Sequence, residues 1–244
     1  DMCGNMKNIA ITAGQMEKAF RNHCVIEGAP LPGFGGAKTG DLFLAPDLST
    51  FAILPWRPQQ GKVARFICDI LKADGTPLAE SPRHILKRTL EKAGQYGYTF
   101  QVGTELEFFL FHTDDNGLPT TITHEQAGYL DLSPLDLGEN ARRDMVLTLE
   151  DMGIVVESSQ HELAPAQHEI DFRYAESLKA ADEIMTAKMA MRTIAKRHGL
   201  HATFMPKPVM GEEGSGMHMY LSLEKDGRNI FADDNDPLGL SREA

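Results

Sequence analysis

The segment GTELEFFLF, residues 103–111, has the alternating pattern of a β-strand but carries two carboxylates. Because side chains alternate between the two faces of a strand, Glu105 and Glu107 lie on one face, roughly 6–7 Å apart along the backbone. Phe109 and Phe111 share that face. We expect this face to form the wall of a cleft. The alternative is a half-exposed strand whose glutamates point into solvent.

Three amphipathic segments predict helices, each closed by a glycine. They are SPRHILKRTLEKAGQYG (81–97), ENARRDMVLTLEDMG (139–153) and SLKAADEIMTAKMAMRTIAKRHG (177–199). Further strands are predicted by IVVESSQHEL, HEIDFRY, HATFMP and GMHMYLSL. These elements favour an antiparallel sheet with helices packed on one side.

A smaller mixed unit precedes these elements. A first strand is predicted over MKNIAIT (6–12), a short helix over 15–23, and more strands over LFLAPD, TFAILPW and KVARFICDIL. A loop is predicted over residues 27–40, which are rich in glycine and proline. The predicted fold class is therefore α+β, with one domain over residues 1–76 and a second over 77–244.

Composition and charge restrict the possible partners. The chain is 42% hydrophobic and 24% charged, as in ordinary globular proteins, and its net charge of −11 argues against a nucleic-acid or anionic membrane surface. No apolar stretch approaches the about 18–20 residues of a membrane span. The three cysteines lack CxxC spacing, which favours a reducing cytoplasm. We therefore expect a cytoplasmic protein.

The second candidate for chemistry is HELAPAQHE, residues 161–169, in which His-Glu occurs twice. Pro165 excludes one continuous helix. A strand–turn–strand arrangement would bring Glu162 and Glu169 together, with Glu157 nearby. The alternative is a charged surface hairpin with solvated carboxylates.

The third candidate is GEEGSGMHMYLSL, residues 211–223. Alternation predicts that its methionines and leucines face a core and that His218, Tyr220 and Ser222 face the other way. A lone histidine in such a strand is more often a hydrogen-bonded structural residue than a ligand. By itself this segment is therefore weak evidence for a site.

Taken together, the three segments place four glutamates and one histidine on strand faces. Carboxylates held close together repel one another unless a cation neutralises them. Oxygen ligands with a histidine suit Mg²⁺ or Mn²⁺. Two such ions would serve phosphoryl transfer from a nucleotide, and the sequence has no P-loop pattern to hold phosphates instead.

With these residues in place, the chain resembles bacterial type I glutamine synthetase along nearly its whole length. The resemblance is carried by TELEFFLF, ESSQHELAPAQHEIDF, HATFMPKP and GSGMH, and by PDLSTFAILPW and GKVARFICDI in the first unit. It implies a β-grasp-like N-terminal domain and the first part of a catalytic domain with a curved antiparallel sheet. It also implies a homo-oligomer, a dodecamer whose active sites are shared between subunits.

The activity implied by the resemblance is ATP-dependent formation of glutamine from glutamate and ammonia, through a γ-glutamyl phosphate. Glu107, Glu162 and Glu169 match ligands of a first metal ion. Glu105 and His218 match ligands of a second ion, nearer the ATP phosphates.

The remaining family positions concern substrates. Glu157 and Ser222 match nucleotide contacts, and Tyr220 lies where it would stack or hydrogen-bond at the nucleotide. Gly214 matches a backbone position that binds glutamate. Tyr129, in GYLDL, matches a residue that lines the ammonium site.

Two positions depart from the family pattern. Glu27, in IEGAP, stands where the family has an aspartate that binds and deprotonates ammonium. Glu213 stands where the family has an asparagine that contacts glutamate. These changes keep two alternatives open, a γ-glutamyl–amine ligase of the polyamine type and a non-catalytic homologue.

The ends of the chain also bear on activity. The sequence starts with Asp1 rather than Met and stops in FADDNDPLGLSREA, which we interpret as truncation at both ends. In the family, a further metal ligand and the arginines that bind glutamate come after this point. We therefore expect the 244 residues alone to be inactive.

Overall fold

The computed structural model describes residues 1–35, 39–57 and 60–244. They form two compact units, one of Asp1–Leu54 with Gly61–Thr99 and one of Pro55–Gln60 with Phe100–Ala244. The predicted domain boundary between residues 76 and 77 stays a prediction. Part of the predicted 27–40 loop, residues 36–38, lies outside the described residues.

The first unit contains a three-stranded antiparallel sheet in the order β1-β2-β3. Its strands are β1 (Cys24–Glu27), β2 (Asp41–Ile53) and β3 (Ala64–Leu71). A 3-10 turn (Ala13–Gln15) leads into helix α1 (Met16–Phe20), and helix α2 (Pro82–Gln95) starts on its proline, within the predicted 81–97 segment. Arg83 ties α2 to the sheet through Asp47 on β2, at 2.6 Å, and Asp69 on β3, at 2.7 Å.

Two strand predictions in this unit need correction. Residues 6–12 belong to no strand, and Met6, Ile9 and Ile11 are exposed. A strand needs a partner to satisfy its backbone groups, and none of the described strands pairs with this segment. LFLAPD and the first four residues of TFAILPW belong to one strand, β2, which ends at Ile53 and whose pairing with β3 shifts register between Asp47 and Ala52. The register shift lies between the two predicted segments.

The second unit contains a seven-stranded antiparallel sheet. Its strands are β4 (Tyr98–Thr113), β5 (Pro119–Thr123), β6 (Val156–His161), β7 (Gln167–Glu176), β8 (Leu200–Thr203), β9 (Met217–Lys225) and β10 (Arg228–Asn229). The order is β10-β9-β4-β7-β6, and β5 and β8 also pair with β4. The helices are α3 (Glu139–Asp151) and α4 (Ser177–Arg197). The α+β fold class is therefore confirmed.

The two faces of β4 belong to two different cores. Leu106, Phe108 and Leu110 pack with buried residues of α3 and α4. On the other face Phe109 and Phe111 stack at 5.5 Å between ring centroids and pack against Ala164. Both rings are buried, so the face that carries Glu105 and Glu107 continues into a closed wall, as the sequence predicted.

The predicted core face of β9 is wrong. Met217, Met219 and Leu221 are 44%, 62% and 48% exposed. The physical reason is position, because only the two-residue strand β10 follows β9 at that edge of the sheet. The core clusters of the described residues include none of these three side chains.

Two observations concern the environment of the protein. The three cysteines are free, and no disulfide joins them. Within the described parts of the chain, no helix has both the length and the apolar character that crossing a bilayer requires.

Candidate functional site

Strand pairing places carboxylates from separate segments next to one another. In the β4–β7 ladder Glu105 lies opposite Asp171, and Glu107 lies opposite Glu169. In the β6–β7 ladder Gln160 lies opposite Glu169. Side chains directly opposite each other in such ladders have Cβ atoms about 4.5–5.5 Å apart. The register alone therefore groups acidic side chains of β4 and β7.

The first group of carboxylates is formed by Glu107, Glu162 and Glu169. Gln160 Nε2 donates to Glu169 Oε2 at 2.6 Å and to Glu162 Oε1 at 3.3 Å. Burial, a hydrogen bond with Glu162 and the charges of Asp171, Glu162 and Glu107 raise the pKa of Glu169 to about 8. The strand–turn–strand arrangement expected for residues 161–169 is present.

The second group is formed by Glu105 and His218, together with Glu169. His218 Nδ1 lies 3.0 Å from Glu105 Oε2. One ligand atom from each of Glu105, Glu169 and His218 lies within 4.8 Å of the others. A hydrogen bond to Glu105 raises the pKa of the Tyr220 hydroxyl. Two carboxylates and an imidazole form a ligand set that suits Mg²⁺ or Mn²⁺.

Gly216 lies between the two groups. Its carbonyl accepts a hydrogen bond from the backbone N–H of Glu107 at 3.2 Å. A Cβ at this position would lie 2.8 Å from Glu107 Oε1 and 3.0 Å from His218 Nε2. The backbone therefore approaches both side chains so closely that only glycine leaves them undisturbed.

Two grooves share Tyr174 in their lining, and one of them includes Glu105 of the second group. A groove of about 260 Å³ is lined by Glu105, Glu157, Asp171 and Tyr220, among others. Burial and the charge of Glu105 raise the pKa of Asp171, although Ser158 donates to it. A second groove of about 430 Å³ includes Ser222 in its lining.

Three other residues singled out in the sequence have exposed side chains. Glu213 is exposed on the segment before β9. Tyr129 is 55% exposed, and its neighbour Leu130 donates its backbone N–H to the His161 carbonyl at 3.1 Å. Glu27 is exposed at the end of β1, in the first unit.

Sequence reasoning missed a buried group beneath the turn between β6 and β7. Glu125 Oε1 accepts from His161 Nε2 at 2.8 Å, and His161 Nδ1 donates to the Glu162 carbonyl at 2.7 Å. Burial alone would lower the pKa of His161, but the hydrogen bonds to Glu125 and Glu162 raise it above its ordinary value. His161 and Glu125 therefore form a buried ion pair.

His168 lies beside this pair, and ligand atoms of Glu125, His161 and His168 are within 4.8 Å of one another. Arg142 Nη1 lies 2.7 Å from His168 Nδ1 and 2.7 Å from Asp136 Oδ2. Burial and Arg142 hold the pKa of His168 well below its ordinary value.

The protonation state of His168 does not allow this group to bind a metal ion. Because Arg142 only donates, Nδ1 of His168 accepts and its proton sits on Nε2, which cannot then bind a cation. The two acids Glu125 and Asp136 already balance the cations His161 and Arg142. We therefore interpret this group as support for the turn that carries Glu162.

Comparison with known proteins gives the family. The model of the glutamine synthetase catalytic domain matches residues 79–244, and that of the glutamine synthetase β-grasp domain matches residues 1–73. The chain belongs to the glutamine synthetase family. The resemblance inferred from the motifs is therefore confirmed, and so is the β-grasp N-terminal domain.

Curated relatives of the chain are named glutamine synthetase. A glutamine synthetase of Clostridium saccharobutylicum is 57% identical over 244 residues, and one of Staphylococcus aureus (strain MW2) is 50% identical over 245. Both matches cover 100% of this chain but only 55% of the relative. The chain thus spans about half the length of the curated relatives it matches.

Solved structures show the same similarity. The ligand-free form of GmaS matches with a TM-score of 0.88 and 28% identity, over 99% of this chain and 56% of the other. Plasmodium falciparum glutamine synthetase matches with a TM-score of 0.80 and 27% identity, over 96% and 50%.

Proposed function

We propose that the protein is an ATP-dependent ligase that forms glutamine from glutamate and ammonia through a γ-glutamyl phosphate. The single observation that carries this proposal is the grouping of side chains from three strands and one turn, namely Glu105, Glu107, Glu162, Glu169 and His218. Relatives named glutamine synthetase support it.

Divalent cations, Mg²⁺ or Mn²⁺, fit the residues present. Burial and the neighbouring carboxylates raise the pKa of Glu169 because both disfavour its charged form, which a cation would stabilise. In the proposal Glu107, Glu162 and Glu169 hold one ion, and Glu105 and His218 hold a second. When bound, the ions would offset the negative charge on the phosphoryl group that is transferred.

The residues along the grooves would bind the nucleotide. Glu157 and Tyr220 line one groove and Ser222 lines the other, so ATP lying along them would present its phosphates towards Glu105. The glutamate substrate would be bound by the segment at Glu213 and Gly214. Its γ-carboxylate oxygen attacks the γ-phosphorus of ATP, the bond to ADP breaks, and an acyl phosphate forms.

Ammonia is the nucleophile of the second step. Tyr129 and Glu162 would line its site, and the Glu27 carboxylate would take the proton that ammonium must lose. The nitrogen then attacks the acyl carbon, phosphate leaves with the electrons of the broken C–O bond, and the proton that the nitrogen releases goes to the phosphate. Since Glu27 belongs to the first unit, we propose that a neighbouring subunit supplies it in a cytoplasmic dodecamer.

The specific observation behind the alternative γ-glutamyl–amine ligase is Glu27, a longer acid than the family aspartate. The relatives do not favour this alternative, because the glutamine synthetases of both organisms are 50% or more identical to this chain. A non-catalytic homologue is opposed by the five grouped metal-ligand candidates, since such geometry is not needed without a cation.

Phosphate release from ATP and glutamate tests the proposal, measured with the protein as its gene encodes it. We expect Mg²⁺- or Mn²⁺-dependent release that ammonia stimulates more than methylamine or putrescine, and product analysis should find glutamine. Faster release with an amine would favour the γ-glutamyl–amine ligase. No release with any nucleophile would favour the non-catalytic homologue. Glu107→Gln serves as the inactive reference.

A further inference from the structure

The side-chain amide of Gln167 connects three segments of the site and takes no part in the proposed chemical steps. Gln167 is buried, at 1% exposure. Its Nε2 donates to Glu107 Oε2 at 2.8 Å and to the Gly214 carbonyl at 2.9 Å. Its Oε1 accepts from the backbone N–H of Ala164 at 3.1 Å. One neutral side chain thus links β4, the β6–β7 turn and the segment before β9.

These partners leave the amide only one orientation. The backbone N–H of Ala164 can only donate, so the amide atom that faces it must be the oxygen. The two N–H groups then point to two acceptors, a carboxylate and a carbonyl. A reversed amide would leave the buried Ala164 N–H without an acceptor and would place the amide oxygen against two part-buried acceptors.

The backbone that carries the amide is also fixed. Gln167 N–H donates to the Ala164 carbonyl at 3.0 Å, and its carbonyl accepts from Glu162 N–H at 2.7 Å. Ala166 adopts the left-handed conformation, with φ of 58°, and its N–H donates to the buried Glu125 Oε1 at 2.5 Å. A non-glycine residue stays in this conformation only where its surroundings hold it. The turn therefore provides a rigid base for the Gln167 amide.

We propose that Gln167 is a positioning residue, which holds the Glu107 carboxylate and the Gly214 segment in one fixed relation. The inference rests on the proposed function, in which Glu107 binds a metal ion and Gly214 lies at the glutamate site. Groups that orient metal ligands commonly change metal affinity by about 10- to 100-fold when removed. Because the same amide also holds Gly214, its loss should weaken glutamate binding as well.

Gln167→Met tests this inference in the protein as its gene encodes it, because methionine keeps the length and volume of glutamine but makes none of the three hydrogen bonds. We expect Mn²⁺ affinity, measured by electron paramagnetic resonance, to fall about tenfold or more. The KM for glutamate should rise by about tenfold, while the KM for ATP stays within about twofold. A purely structural role would not separate the two KM values.

If Gln167→Met does not fold, Gln167→Glu tests the same positioning role. A carboxylate keeps the bond from Ala164 N–H but cannot donate to Gly214, so the KM for glutamate should again rise about tenfold. Gln95→Met, at an exposed position of α2, is the matched control and should change neither quantity. A folded Gln167 variant with unchanged glutamate KM would overturn the inference. Lack of Mn²⁺ binding and of phosphate release in the unaltered protein would instead overturn the proposed function.

Discussion

Glu107 on β4 and Glu169 on β7 lie directly opposite each other in an antiparallel ladder, so two carboxylates share one position of the sheet. Like charges in this arrangement destabilise a sheet. Here the pair is also partly enclosed, and Glu162 adds a third acid at hydrogen-bonding distance from Glu169. A proton or a cation must therefore reside in this group when the protein is folded.

The first prediction concerns how the free energy of unfolding of the metal-free protein depends on pH. Folded Glu169, with its pKa raised to about 8, keeps its proton where an unfolded glutamate, with a pKa of about 4.3, has lost it. Unfolding then releases a proton, so the free energy of unfolding should fall as pH rises from about 5 to about 8. Urea denaturation in EDTA measures this fall.

Glu169→Gln should make the pH dependence clearly smaller, because the amide does not ionise. Glu150→Gln, at an exposed position of α3, should leave it unchanged. Mn²⁺ at about pH 8 should restore stability to the unaltered protein but much less to Glu169→Gln. Equal pH dependence in the unaltered protein and Glu169→Gln would contradict the account.

The second prediction concerns Gly216. In Gly216→Ala the new methyl group would displace the ends of Glu107 and His218, which are flexible enough to move without unfolding the protein. We expect a melting temperature close to that of the unaltered protein and Mn²⁺ affinity lower by about tenfold or more. Gly94→Ala is the control, because its Cβ meets nothing within 4 Å. Isothermal titration with Mn²⁺ measures the effect, and equal affinities would refute it.

The third prediction concerns Arg142, whose guanidinium neutralises the fully buried side chain of Asp136. Arg142→Met leaves that carboxylate unpaired, so the free energy of unfolding should fall by about 3–5 kcal/mol. Arg143→Met changes the next residue of the same helix, which is exposed, and should cost less than about 0.5 kcal/mol. Chemical denaturation of both variants is the measurement. Similar losses in the two would show that the buried pair is unimportant.

The fourth prediction concerns the three free cysteines. Burial raises the pKa of the Cys68 thiol to about 11, Cys24 is buried, and Cys3 is exposed. Since the thiolate is the reactive form, iodoacetamide at about pH 8 should modify Cys3 rapidly in native protein and the other two only after unfolding. Mass spectrometry with and without urea distinguishes these cases. Rapid native modification of Cys68 would contradict the burial described.

Alternation along the chain was sufficient to predict β4, β6, β7 and the three longer helices. It also placed Glu105 and Glu107 on the same strand face as Phe109 and Phe111, which form a buried wall. Grouping of Glu162 with Glu169 followed from Pro165, which excludes a helix. These inferences worked because each depends on local backbone periodicity.

Residues that act through long-range contacts could not be found this way. Gln160 and Gln167 are neutral amides without a spacing signal, and their roles depend on which carboxylates the sheet brings beside them. The pairing of Asp171 with Glu105 depends on the β4–β7 register, which the pattern did not specify. Likewise, alternation predicts a core face for the methionines of β9, because it shows that the two faces of a strand differ but not what covers each face.

The most direct test of the central claim is an anomalous diffraction map from crystals of the protein as its gene encodes it, grown with Mn²⁺ and a nucleotide. The account predicts one peak within coordination distance of Glu107, Glu162 and Glu169 and a second beside Glu105 and His218. Nucleotide-bound crystals without manganese at these carboxylates would contradict it.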